Sequence, residues 1–217
     1  TALMGFKQNL STGEIIDQVL QLSNRSSSKI TNVVFMGMGE PFLNYKKVVE
    51  SSKIINEKIG LGARRITIST SGIVSKIYLM ADERLPFKLA VSLNAPSDEI
   101  RKEIMPITIT NPINELLKAA EYYYSKLRRF VTFEYVLLDN VNSDEQCAHH
   151  LIKLLKNIPC KVNIIPYNEI DSQYKRPKSK VINNFVRILD DAPFTTTIRW
   201  SKGTNIDAGC GQLAIRD

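Results

Sequence analysis

Apolar residues recur along this chain in two alternating rhythms. Short β-branched runs at 33–36, 64–72, 88–94, 131–140, 161–165 and 195–200 have the length and composition of strands. Between them, apolar residues return at helical spacing: Ile15, Ile16, Val19 and Leu20, then Tyr45, Val48, Val49 and Ile55, then Ile113, Leu116, Leu117 and Ala120. Cys147, Leu151, Leu154 and Leu155 make a further stripe, and Val181, Ile182, Phe185, Val186 and Leu189 another. Shorter helices fit around Ile77 and at 98–104. Ser11-Thr12-Gly13-Glu14 is a capping box and Ser143-Asp144-Glu145-Gln146 reads as a second, while Asn111-Pro112 predicts an N-cap followed by a proline in the first helical position. Such alternation implies right-handed crossovers and a parallel sheet in an α/β fold. A doubly wound sheet and a β/α barrel both remain open. The 33–36 run reads as a strand buried on both faces, and the stripe of the first helix reads as buried.

The polar residues add a second regularity. Glu40, Ser69 with Ser71, Ser92 with Asn94, and Asn168 each sit where an apolar strand runs out. In β/α folds that edge is where sites are built, so one polar ligand bound across several strand ends is the natural reading. The first of these ends, Met36-Gly37-Met38-Gly39-Glu40-Pro41, holds one acid beside glycines that leave the main chain open to a ligand. A solvated turn would look the same. No Walker or dinucleotide fingerprint is present. Glu134 is an acid inside a strand and needs a partner if buried.

Composition bounds the rest. With 217 residues, 43% hydrophobic and 24% charged, the chain can form one sizeable domain. No apolar run of about eighteen residues and no signal-like amino terminus is present, which reads as a cytoplasmic protein without a membrane partner. The chain begins at Thr1 without an initiator Met, so further residues are expected upstream. A net charge of +7 favours a polyanionic partner. Lys175, Arg176, Lys178 and Lys180 form the densest cluster and read as a loop that is either simply solvated or able to grip phosphates. Cys147, Cys160 and Cys210 lack the spacing of a metal site, so no metal ligand is assigned. Cys147 reads as core, His149 and His150 as surface. Taken alone, Cys210 reads as a small buried hydrophobe as readily as a reactive thiol.

Seven stretches resemble a known family in order and from end to end. They are Met4-Gly5-Phe6, Met36-Gly37-Met38-Gly39-Glu40-Pro41, Ser69-Thr70-Ser71-Gly72, Ser92-Leu93-Asn94-Ala95-Pro96, Glu134-Tyr135-Val136, Ile165-Pro166-Tyr167-Asn168 and Asp207-Ala208-Gly209-Cys210-Gly211-Gln212-Leu213. They are similar to the RlmN-type radical S-adenosylmethionine (SAM) methyltransferases, which methylate C2 of an adenine in 23S rRNA and, in many bacteria, in tRNA. The resemblance implies a partial TIM-like (β/α) barrel of the radical SAM type, lacking its first strand and cluster loop. It implies one core domain over 1–217 with a cysteine-bearing tail at about 201–217.

By the same resemblance Gly39 and Glu40 bind the methionyl amine of SAM, and Ser69, Ser92, Leu93, Asn94 and Asn168 supply its other contacts. Cys210 is the implied catalytic residue: it accepts a methyl group from one SAM, and a 5′-deoxyadenosyl radical from a second SAM then activates that S-methyl group. Adenine C2 is not nucleophilic, so a thiolate has to take the methyl first. A [4Fe-4S] cluster is implied for the full-length enzyme, with its three-cysteine motif outside this chain, which alone is then expected to be inactive. An electron donor such as flavodoxin, RNA partners (23S rRNA and tRNA) and a monomeric state complete the expectation. The sequence departs from the family at Asn94, where His is frequent, at Asn205 and at Ala2. The sister C8-adenine methyltransferase and a non-catalytic RNA-binding fragment are the alternatives, with an unrelated barrel enzyme acting on a phosphorylated metabolite as a third.

Overall fold

The computed structural model describes residues 7–169 and 173–200. In chain order the elements are α1 (Thr12–Arg25), β1 (Val33–Phe35), α2 (Tyr45–Glu57), β2 (Ile66–Thr70), α3 (Val74–Asp82) and β3 (Lys88–Ser92). They continue with α4 (Asp98–Ile104), α5 (Ile113–Leu127), β4 (Val131–Leu137), α6 (Glu145–Leu155), β5 (Cys160–Pro166), α7 (Ser179–Leu189) and β6 (Thr195–Ile198). All neighbouring strands pair in parallel, and their order in the sheet is their order in the chain. A doubly wound sheet reverses its order at a switch point, and this one does not.

The sheet is also curled. The Arg199 guanidinium, just beyond β6, lies 3.5 Å from the Met36 sulfur, just beyond β1. In a flat sheet five strand spacings would hold those ends roughly 24 Å apart. The two side chains meet only if the sheet bends through much of a barrel, so the open choice between architectures resolves to the partial β/α barrel.

Alternation along each strand sorts the residues. Ile66, Ile68, Leu89, Val91, Phe133, Tyr135, Val162 and Ile164 are fully or almost fully buried and face the helices, where they meet Ile77, Met80, Leu116, Tyr123, Leu151 and Phe185. The opposite phase faces the concave side. Ser92, Glu134, Asn163 and Thr197 stand there in register on four adjacent strands. Cys147 is buried and His149 and His150 are exposed, as the sequence indicated. No helix among the described residues is long and apolar enough to cross a membrane.

Four local expectations need correction. Strand β1 is not buried on both faces: Val34 is 44% exposed, because β1 lies at the edge of the described sheet. Helix α1 has its capping box, with Ser11 Oγ accepting from the Glu14 amide, but it has no buried residue. It leans on α2, through a 2.7 Å bond from Thr12 Oγ1 to Glu50, and its stripe is only partly covered. Helix α5 begins at Ile113 with Pro112 in the capping position, and the Ile113 amide is satisfied by Asp98 (2.8 Å). Asn111 instead accepts from the Val74 amide at 2.9 Å and so ties α5 to α3. Helix α6 is capped by Asp144, which accepts from the Cys147 amide, and Ser143 is buried.

The strand ends are held by a buried cation. Arg101 is fully buried and donates to the carbonyls of Ser71 (2.6 Å), Ser92 (3.0 Å), Leu93 (3.0 Å) and Asn111 (3.3 Å) and to Thr108 Oγ1 (3.0 Å). Neither ion pair among the described residues includes it. Burial pushes its guanidinium down to about 10, with Asp98 opposing, which leaves it charged at neutral pH. Gly72 makes the arrangement possible: its φ is +108°, and a Cβ there would stand 3.1 Å from Arg101 Nη2. Replacing Arg101→Met should strand several buried carbonyls without donors and lower stability by about 3–5 kcal/mol. The shift in urea midpoint of the purified variant measures it.

Candidate functional site

The carboxyl edge of the sheet collects the polar residues that the sequence placed at strand ends. After β1 the chain turns at Gly39, the only one of the Gly37–Gly39 pair with a positive φ (+87°), and no atom lies within 4 Å of where a Cβ would be. Glu40 follows, half-buried. One carboxylate oxygen accepts from the Phe42 amide (2.9 Å) and starts a turn of 3-10 helix, and the other accepts from the Ser71 amide at 2.6 Å. This bond joins the ends of β1 and β2. Ser69, 5% exposed, lies on β2 in register with Ala90 and hence on the concave face with Ser92.

From Ser71 a hydrogen-bonded path continues across the edge. The Ser71 carbonyl is held by Arg101, which also holds the carbonyls of Ser92 and Leu93. The Leu93 amide donates to the Glu134 carbonyl at 2.9 Å. Leu93 itself points its side chain into the core, so only its main chain belongs to the edge. Asn94 takes a left-handed conformation (φ 58°) that asparagine tolerates better than most residues. Its Oδ1 accepts from the Val136 amide (2.9 Å), its Nδ2 reaches the Met105 sulfur (3.2 Å), and its carbonyl accepts from Asn142 (2.7 Å). The Asn94 side chain is therefore occupied in bracing β3 against β4, which leaves the neighbouring main chain to meet a ligand.

Four side chains, Arg101 among them, escaped the sequence reading as site residues. Asn142 is buried and fully used: its amide group donates to the carbonyls of Asn94 and Val136, and its oxygen accepts from the Leu138 amide (2.7 Å). Glu134, 6% exposed, finds its partner in Asn163 Nδ2 (3.0 Å), and Asn163 Oδ1 accepts from Thr197 Oγ1 (3.0 Å). The signal for Asn163 was available, since a polar residue sits in the concave phase of β5 opposite the acid of β4. Burial raises the Glu134 carboxyl above its ordinary value of 4.5, against the opposing influence of Asn163 and Arg199. Arg101 and Asn142 gave no signal, because their partners are main-chain groups.

Asn168 is buried two residues beyond β5, and the Tyr167 amide donates to the Leu137 carbonyl, which sets this segment beside the end of β4. The basic loop lies on the same rim. The Lys175 carbonyl accepts from the Asp139 amide, the Arg176 amide donates to Glu169, and the Arg176 guanidinium stands 5.5 Å from the centre of the Trp200 ring. Lys175, Arg176, Lys178 and Lys180 are exposed. Cys210 lies outside the described residues.

A family model of the radical SAM superfamily matches residues 3–152. The chain belongs to the radical SAM superfamily. It is 47% identical over 219 residues to a protein of Dictyoglomus thermophilum named "Probable dual-specificity RNA methyltransferase RlmN", and 44% identical over 216 residues to one of the same name from Thermoanaerobacter sp. (strain X514). Each alignment covers 98% of this chain and 63% of the relative. A crystal structure of a radical SAM methyltransferase from Sphaerobacter thermophilus superposes with a TM-score of 0.93 at 42% identity, covering 97% of this chain and 63% of that one. The chain thus spans about 63% of the length of the relatives it matches.

The radical SAM superfamily uses SAM and a [4Fe-4S] cluster. The carboxyl edge fits SAM: Glu40 offers a carboxylate for an ammonium group, and the open main chain around Gly39 and the strand ends offers close approach. The described residues do not fit the cluster. No group of His, Cys, Asp or Glu among them is placed to hold a metal. Cys147 and Cys160 are buried thiols, each pushed up to about 12 by burial, with Asp144 adding to the shift at Cys147.

Because the folded protein raises Glu134's pKa, the folded state binds a proton more tightly than the unfolded state there, and stability falls as pH rises through that raised value. Glu134→Gln should therefore stabilise the protein at pH 7 relative to wild type, by an amount that shrinks as pH falls through the raised value towards 4.5 and changes no further below it. Denaturation midpoints measured across pH 4–8 test both the sign and the window.

Proposed function

We propose that this chain forms the SAM-binding and methyl-carrying part of an RNA methyltransferase of the RlmN type, acting on C2 of an adenine in 23S rRNA and tRNA. One observation carries the SAM site: a hydrogen-bonded path runs from Glu40 through Ser71 and Arg101 to Ser92, Leu93 and Glu134, so residues far apart in sequence are rigidly spaced along one edge. The names of the relatives support the RNA substrate.

In this reading Glu40 takes the ammonium of the methionyl group. Gly39 admits it, Ser69 and Ser92 face it from the concave side, and the main chain of Leu93 and Asn94 together with Asn168 bounds it. SAM, when bound, supplies the methyl group. The Cys210 thiolate displaces that methyl from the sulfonium, so a C–S bond forms at Cys210 as the sulfonium's methyl bond breaks and leaves a neutral thioether. The exposed cations of the basic loop and the Trp200 ring at the rim suit phosphates and bases of the RNA. Residues 1–217 act as one core domain whose tail, at about 201–217, brings the cysteine to the edge. The iron-sulfur cluster, the electron donor and the cytoplasmic, monomeric setting belong to the complete enzyme.

Two substitutions in the complete enzyme test this assignment. Cys210→Ala should abolish 2-methyladenosine in digested RNA, read by mass spectrometry, with the melting temperature within a few degrees of wild type; normal turnover would remove the methyl-carrier assignment. Glu40→Gln should weaken SAM binding about tenfold or more in equilibrium dialysis, about 1.4 kcal/mol. Unchanged affinity would move the ammonium site elsewhere.

A further inference from the structure

The basic loop with Lys175, Arg176, Lys178 and Lys180 at the carboxyl edge is interspersed with Glu40, Asp139 and Glu169. A second concentration of positive charge lies at the opposite, amino edge of the sheet. The connections that lead into β1, β2, β3, β4 and β5 run over 26–32, 58–65, 83–87, 128–130 and 156–159, and Lys88 and Lys161 stand at the starts of β3 and β5. In these five connections the only carboxylate is Glu83, which is engaged by the Tyr45 hydroxyl at 2.8 Å, and every other charged residue is Lys or Arg; the connection into β6, 190–194, adds Asp190 and Asp191 at the far end of the edge. Arg64, Arg65, Lys88, Arg128 and Lys161 are exposed, and no ion pair among the described residues neutralises any of them.

Part of this pattern has a structural cause, since helices end on this edge and cations are favoured beside helix carboxyl ends. That cause does not reach Lys88 and Lys161. Both stand on strands and, by register, share the concave face with Ser92 and Asn163 at its far end. Nor does it explain the aromatic stack next to them. Phe130, 49% exposed, lies on Tyr124 with ring centres 5.6 Å apart and 23° between planes, and the Arg128 guanidinium stands 5.8 Å from the Tyr124 ring. Arg129, between them, is fixed by the Pro86 carbonyl. Cations at the amino ends of five adjacent strands, from Lys29 before β1 to Lys161 on β5, extend over roughly 20 Å. A nucleic-acid duplex presents roughly one phosphate per 1.7 Å of its axis, so such a row can meet several at once.

We propose that the amino edge of the sheet is a second RNA-contacting surface, which holds phosphate backbone at a distance from the adenine bound at the carboxyl edge. Lys88, Lys161, Arg64 and Arg128 supply the charge, and Phe130 supplies a face on which a base can stack. The identity of the polyanion as RNA rests on the function proposed above; the surface itself does not.

The probe is a 20-base-pair RNA duplex of arbitrary sequence, which offers no unpaired adenine to the carboxyl edge. Binding is measured by fluorescence anisotropy over a salt series for wild type, Lys88→Glu with Lys161→Glu, and the milder Lys88→Gln with Lys161→Gln, with circular dichroism to verify folding. The Glu pair should weaken binding about tenfold or more, and both pairs should reduce the slope of log K against log salt by about 1.5 to 2. A slope unchanged in the folded variants overturns the proposal. Displacement of the duplex by polyglutamate at equal charge concentration overturns it too, in favour of an acidic protein partner. Absence of methyl transfer by the wild-type enzyme bears on the methyltransferase reading alone and leaves this binding result standing.

Discussion

A positive charge sealed inside a protein with no carboxylate at contact distance must be stabilised by dipoles, and the Arg101 guanidinium is stabilised by four carbonyls and a hydroxyl. Those carbonyls belong to the ends of β2 and β3 and to the start of α5. One side chain thus fixes the relative height and spacing of loops that the strands alone would leave free. The constraint is mutual. The carbonyls need a donor because they are buried, and the cation needs them because water is excluded, so neither arrangement is stable without the other. Gly72 completes it by taking a φ of +108° that side chains rarely adopt and by leaving room beside the guanidinium, where a Cβ would press on Arg101 and Leu116.

Around this clamp the two faces of each strand do different work. The phase that looks outward is almost wholly apolar and welds the sheet to its helices. The inward phase at the same level is polar, and Glu134, Asn163 and Thr197 satisfy one another across three strands. Burying an acid in that row is unfavourable, as its raised proton affinity records, yet it places a hydrogen-bonding group within the concave face directly beneath the ends of the strands. Arg199 closes the ring by reaching across to Met36, so the first and last described strands are held over the same space.

Much of this was legible in the sequence. Strands and helices appeared because their apolar periods differ, and the polar residues at strand ends appeared because a parallel sheet exposes one edge to solvent. The curl of the sheet was not legible, since a doubly wound and a singly wound chain share one pattern of alternation. Caps were misplaced by a residue where the partner came from elsewhere: Asp98 serves Ile113, which frees Asn111 to hold Val74. Arg101 was not singled out in the sequence, because its carbonyl acceptors carry no residue type. The role of the Asn94 side chain in bracing the adjacent strand and reaching Met105 was not legible either. The burial expected of β1 failed at Val34 for want of a covering neighbour among the described residues.

The two thiols inside the fold have a bearing on selectivity. With both pushed up to about 12 by burial, Cys147 and Cys160 remain protonated thiols at neutral pH. An electrophilic methyl donor therefore meets no readily ionised thiol at Cys147 or Cys160. Burial silences these two cysteines as alkyl acceptors, so the fold is protected from modification by the reagent it is built to hold.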